Sequence, residues 1–76
     1  MLSPPQCRAA RALLNWSQEQ LAKRSNLGLS TVRNFEAGRT LPVHNNLAAI
    51  RTALESAGVE FIGETGVTLR GGSSVN

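Results

Sequence analysis

Hydrophobic residues recur along this chain at helical spacing, and capping signals cut the pattern into segments. Ser3 suits an N-cap, Pro4 the first helical position, and Gln6 stands three residues after Ser3, as in a capping box. Cys7, Ala10 and Leu14 share one face at i, i+3 and i+7, which predicts a first helix to about Leu14. Arg8 and Arg11 fall on or beside the edge of that face. The same grammar restarts at Trp16. Ser17 caps, Gln20 completes the box, and Trp16 and Leu21 occupy the two positions of a hydrophobic staple. This second helix covers about 17–25 and is stopped by Asn26, which tolerates the left-handed conformation. Gly28 opens a third helix, about 28–37, with Leu27 and Val32 as its staple, Val32 and Phe35 inward, and Gly38 ending it. Arg39-Thr40-Leu41-Pro42 reads as a loop. A fourth helix starts between Val43 and Asn46, carries Leu47, Ile50 and Leu54, and stops at Ala57-Gly58.

The period then changes. Val59-Glu60-Phe61-Ile62 and Val67-Thr68-Leu69-Arg70 are short β-prone runs around Gly63-Glu64-Thr65-Gly66, predicting a hairpin or a pair of edge strands. A hairpin alone is marginal in water, so it must pack on the helices or pair with another chain. Residues 71–76, Gly-Gly-Ser-Ser-Val-Asn, read as a flexible tail. The predicted class is mainly α, with residues 1–58 as the helical domain and 59–70 as C-terminal strands.

Composition narrows the function classes. A chain of 76 residues is one small domain. It holds one cysteine, so no disulfide framework and no cysteine-rich zinc site is expected, and Cys7 reads as a small buried apolar residue. One His and one Cys assemble no metal site, and His44 reads as an exposed loop residue. No cofactor is expected. No apolar run reaches the roughly 18 residues of a membrane span, and the first residues lack a signal peptide's charged start, which makes the cytosol the default compartment. Eight Lys and Arg against five Glu, with no Asp, give a net charge of +3 and a pI near 10.6. That balance favours a polyanionic partner, nucleic acid first, although a merely soluble surface gives the same arithmetic. No catalytic triad, plausibly spaced dyad or phosphate loop is present, so an enzyme is not expected. The basic residues are spread over several segments, which argues against a membrane-surface helix.

Two short capped helices around Ser25-Asn26-Leu27-Gly28 make a helix-turn-helix. With Ser17-Gln18, Leu21-Ala22, Ser30-Thr31-Val32 and Phe35-Glu36-Ala37-Gly38-Arg39, the chain resembles the Cro and lambda-repressor type of DNA-binding domain, the Xre family. The resemblance covers about 50 residues, from the first helix through the fourth, and extends to short bacterial regulators of the family that end in a Gly-Val-Glu-Phe-Ile strand. It implies a lambda-repressor-like fold of four to five helices with the third as recognition helix. An α-helix fits the major groove and residues near its start reach base edges. The candidate base contacts are Leu29, Ser30, Thr31, Arg33 and Asn34. Arg33 can pair with guanine and Asn34 with adenine, though either is also an ordinary polar surface residue. Leu29 departs from a position that is often polar in the family, and either meets a thymine methyl or folds back on the core. Thr31 touches core or DNA.

The resemblance further implies an ion pair between Arg11 and Glu36 that positions the recognition helix. It implies phosphate contacts from Gln18 and from Arg39 and Thr40. Asn45 and Asn46 are candidates for phosphate or for capping the fourth helix, and Lys23 reads as solvated surface. Asn26 replaces a usual Gly, and Gly28 a usual Ser or Thr cap. The reading that follows is a transcriptional regulator on double-stranded DNA, acting as a homodimer through residues 59–70 or with that hairpin docked over the fourth helix. The alternative is an antitoxin or adaptor that captures a protein partner.

Overall fold

The computed structural model describes residues 2–39 and 43–70. Four helices and one antiparallel pair of strands occupy them. Helix α1, Pro4–Leu14, begins with a reciprocal box: the Gln6 amide donates to Ser3 Oγ at 3.2 Å and the Ser3 amide to Gln6 Oε1 at 3.1 Å. Helix α2, Gln18–Ser25, repeats it, with the Gln20 amide on Ser17 Oγ at 3.0 Å and the Ser17 amide on Gln20 Oε1 at 2.8 Å. Helix α3, Leu29–Glu36, starts at Gly28 with no side-chain cap. Helix α4, His44–Ser56, is preceded by Val43, which caps nothing through its side chain.

Helices α1, α2 and α3 end alike. Asn15, Asn26 and Gly38 take positive φ, at 58°, 59° and 74°. Behind each, the next amide reaches back five residues: Trp16 N to Arg11 O at 2.9 Å, Leu27 N to Ala22 O at 2.9 Å, Arg39 N to Asn34 O at 3.0 Å. These are Schellman closures, which satisfy carbonyls a helix end otherwise leaves bare.

The core forms where the apolar faces meet. Leu21 and Ala22 from α2, Val32 and Phe35 from α3, Leu47, Ile50 and Leu54 from α4, and Cys7 and Ala10 from α1 are all buried. Each fully buried Leu, Ile, Val or Phe contributes about 1.5–3 kcal/mol, so this cluster supplies most of the stability of so short a chain. Leu14 sits at its margin, partly buried.

Strands β1, Val59–Ile62, and β2, Gly66–Leu69, pair with Val59 opposite Leu69 and Ile62 opposite Gly66. Val59 is buried, and Phe61, Val67 and Leu69 pack against the core. The second strand thus starts one residue earlier than its β-prone run, and Arg70 falls outside it. Gly66 explains the shift. A Cβ there would lie 2.9 Å from the Ile62 carbonyl, so only glycine permits that pairing. The hairpin packs on α1 as well as α4, whereas the docking alternative read from the sequence named the fourth helix only. Gln6 is the reason: its side chain is 1% exposed, and its amide donates to the carbonyls of Gly63 and Gly66, each at 3.0 Å. Ser3 adds a bond from its hydroxyl to the Glu64 carbonyl at 3.2 Å.

Other sequence expectations need adjustment. Helix α3 is one residue shorter at each end than 28–37, because Gly28 and Ala37 serve as caps. His44 opens α4 and is not a loop residue. Asn45 and Asn46 are the second and third helical residues, so neither caps that helix. The Gly28 position leaves room for improvement. It has extended backbone, and an added Cβ would meet only Thr31 Oγ1, at 3.9 Å. Gly28→Ser therefore raises stability by a few tenths of a kcal/mol, about 1–3 °C in Tm by thermal melting. A fall in Tm would mean the added hydroxyl does not cap.

Candidate nucleic-acid interface

Ser30 and Arg33 on α3 and its C-cap Ala37 are spaced i, i+3 and i+7, and all three are exposed. Leu29, Thr31 and Asn34 flank them, half-buried. Leu29 is therefore neither sealed in the core nor wholly offered to solvent. The opposite side of the helix, Val32, Phe35 and Glu36, is buried.

Glu36 is the unusual member of that buried side, a carboxylate 2% exposed. Arg11 grips it with two bonds, Nε to Oε2 and Nη2 to Oε1, both 2.7 Å. Gln18 Nε2 donates to Oε1 at 2.9 Å, and the Cys7 thiol to Oε2 at 3.1 Å. Burial pushes the Glu36 carboxyl up, but the bonds from Arg11, Gln18 and Cys7 and the charge of Arg11 outweigh it and hold the group below the usual carboxylate range. The same contacts act on the partners. Burial, then the bond to Glu36, pushes the Cys7 thiol far up, so it stays protonated and donates. The bond to Glu36 raises Arg11 further above its ordinary value, against the opposing pull of burial. Arg11 also donates through Nη1 to the Trp16 carbonyl at 3.0 Å. One guanidinium thus ties α1, the turn into α2 and the end of α3 together.

The candidate residues divide accordingly. Arg11, Gln18 and Glu36 meet in one network. Gln18 turns its amide to Glu36, which leaves its second amide hydrogen as the donor for any outside partner. Arg39 is exposed just after α3, and Lys23 is exposed on α2. Thr40, and with it the Leu41-Pro42 part of the loop and the 71–76 tail, lies outside the described residues. Asn45 is exposed and Asn46 half-buried. Asn45 stands away from that network, on the wall of an open groove of about 620 Å³ with Arg24, Ser25 and Asn26. Arg24 lies over the Trp16 ring, 4.7 Å from its centroid. Among the described residues, no cluster of His, Cys, Asp or Glu is placed to hold a metal ion, and no helix is long and apolar enough to cross a membrane.

A helix-turn-helix family model matches residues 8–56, from α1 to the last residue of α4 and nearly two thirds of the chain. The chain belongs to the Xre-type helix-turn-helix family. This Xre-type domain is a DNA-binding helix-turn-helix protein, and its family is one of DNA-binding domains rather than enzymes. No curated protein matches the chain. The hairpin lies beyond the matched segment.

Sequence reasoning missed two roles within the Xre-type domain. Arg8 donates through Nη1 to the main-chain carbonyl of Glu36. Its spacing from Arg11, i to i+3 on one side of α1, was the available signal. Gln6 read only as a capping residue, and nothing local announces its bonds to the hairpin.

Proposed function

We propose that the protein is a transcriptional regulator that reads double-stranded DNA by sequence and acts as a homodimer. The observation that carries this is α3 itself. One side is fixed through Phe35, Val32 and the Glu36 network. The other offers Ser30, Arg33 and Ala37, flanked by Leu29 and Asn34. Laid in the major groove, Arg33 reaches guanine, Asn34 adenine, and Ser30 a base or phosphate. Leu29 and Thr31 offer methyl groups to thymine. Gln18, Arg39, Thr40, Asn45 and Asn46 are the proposed phosphate contacts, and they set register rather than sequence.

Two copies supply enough contacts for a palindromic site with half-sites about 34 Å apart. The described residues measure 35 × 24 × 18 Å, so neighbouring copies fit that spacing. The proposed dimer element is the hairpin. A sheet of two strands leaves both outer edges unpaired, and Ile62 is 59% exposed on it. Ile62→Lys should therefore yield a monomer by sedimentation while keeping Val59 in the core. A dimer of unchanged affinity would remove the hairpin from the interface. The same exposed edge supports a second reading, capture of another protein by strand addition.

The deciding experiment titrates the purified protein onto random genomic duplexes at several salt concentrations and sequences what is retained. Recovery of a short palindrome is the expected result. Salt-sensitive binding with no motif would reduce the protein to a non-specific binder. No binding at low salt would favour the protein-capture reading.

A further inference from the structure

We infer that Arg8 is a second positioning residue for α3, holding the main chain of the recognition helix while Arg11 holds its side chain. The inference rests on the DNA-reading role proposed above and concerns how that reading keeps its geometry.

The end of α3 shows why Arg8 is needed. A helix leaves its last four carbonyls without partners in the helix. Local backbone satisfies three of them: Ala37 N bonds Arg33 O, Arg39 N bonds Asn34 O and Gly38 N bonds Phe35 O, all at 3.0 Å. The fourth, Glu36 O, receives the guanidinium of Arg8. The positive group also meets the negative end of the helix dipole.

Arg8 and Arg11 lie one turn apart on α1 and address the two ends of the same residue. Arg11 binds the carboxylate, which is joined to its helix by a side chain with several rotatable bonds. That grip sets a distance, and the buried Val32 and Phe35 limit how far the helix can roll. A bond to the Glu36 carbonyl acts on the helix backbone directly and narrows the remaining roll. Arg33 stands one turn before Glu36. A roll of about 10° moves an atom about 6 Å from the helix axis by roughly 1 Å. That is enough to break a hydrogen bond to a base edge, whose useful range spans only about 0.5 Å. Arg8 therefore sharpens sequence preference without touching a base.

The test compares wild type, Arg8→Met and Arg8→Lys. Arg8→Met keeps the apolar stem and removes every donor, and Arg8→Lys restores a cationic donor. Each protein is titrated onto the duplex that wild type selects from a random pool and onto a scrambled duplex, across a salt series. Amide exchange at Gly38 and Arg39 is measured without DNA. Arg8→Met should cut the ratio of specific to scrambled affinity by about three- to tenfold, with binding to the scrambled duplex and the salt slope unchanged. Its Tm should stay within about 3 °C of wild type, and exchange should speed up at Gly38 and Arg39 but not at Val32. Arg8→Lys should recover part of both losses. An unchanged affinity ratio overturns the inference. So does uniform weakening on both duplexes with a salt slope lower by about 0.9, which would make Arg8 a phosphate contact. A general rise in exchange with a large fall in Tm would make it a stability residue only. If wild type itself shows no sequence preference, the functional reading fails and the consequence for bases with it. Exchange then decides alone whether Arg8 holds the helix end.

Discussion

Glu36→Gln should cost about 3 kcal/mol of folding stability at pH 7, near the low end of what breaking a buried ion pair costs. The substitution keeps the shape of the side chain and removes its charge. Arg11, with 18% of its side chain exposed, is then left with a cation that only partly reaches water. Gln18 and Cys7 lose a charged acceptor. A domain this short has few kcal/mol to spare, so the variant should melt far below wild type. The effect also carries a pH signature. The folded carboxyl of Glu36 is held below its ordinary range, so its stabilisation is whole above the unfolded pKa of about 4.3. It is lost as pH falls through the lower folded value. The gap between wild type and Glu36→Gln should therefore be widest near neutrality and close in acid. Melts from pH 7 down to 2.5 would show this. A gap that stayed under about 1 kcal/mol at pH 7 would class the pair with weak surface bridges. Arg11→Met should cost a similar amount, and the double variant clearly less than the sum, because both remove one network.

Arg33→Ala should weaken binding to the selected palindrome by about 1–3 kcal/mol and relax preference at one base pair of each half-site. Arg33 is exposed, and among the described residues no side chain bonds to it, so Tm should hardly move. The control is Arg39→Ala. As a phosphate contact it should weaken all duplexes alike and lower the salt slope by about one unit. If Arg33→Ala behaved as that control does, direct base reading would pass to Asn34 or Ser30. If it changed nothing, α3 would not be the reading element.

The helices were legible because their punctuation is local. Ser3 with Gln6 and Ser17 with Gln20 each close a box within four residues, and Asn26 and Gly38 stop a helix through their own backbone preference. Such signals need no knowledge of the rest of the fold. The hairpin was legible as two β-prone runs but not in its register, since Gly66 is set by how close the Ile62 carbonyl comes. Its seat on α1 was not legible at all. It depends on Gln6 meeting carbonyls 57 and 60 residues away, and a glutamine three residues past a serine already has a sufficient local explanation. The site divides the same way. The outward spacing of Ser30, Arg33 and Ala37 follows from helical period. That Gln18 turns toward Glu36, and that Arg8 reaches the Glu36 carbonyl, follows from packing across elements.

The bonds from Gln6 to Gly63 and Gly66 also constrain the order in which the domain can be completed during translation. The first helix emerges with a buried amide whose acceptors have not yet been made. At about 5–20 residues per second, roughly 3–12 s separate Gln6 from Gly66. During that interval the faces of α1 and α4 that will carry the hairpin are bare, and Val59 has not filled its place in the core. A message that ended early, after the fourth helix, would release a chain with the proposed DNA-facing surface spelled out and its first helix without the bonds from Gln6 to the hairpin. Such a product would lack the Gln6 bonds to Gly63 and Gly66 and the burial of Val59, so the hairpin completes the packing that the first helix begins.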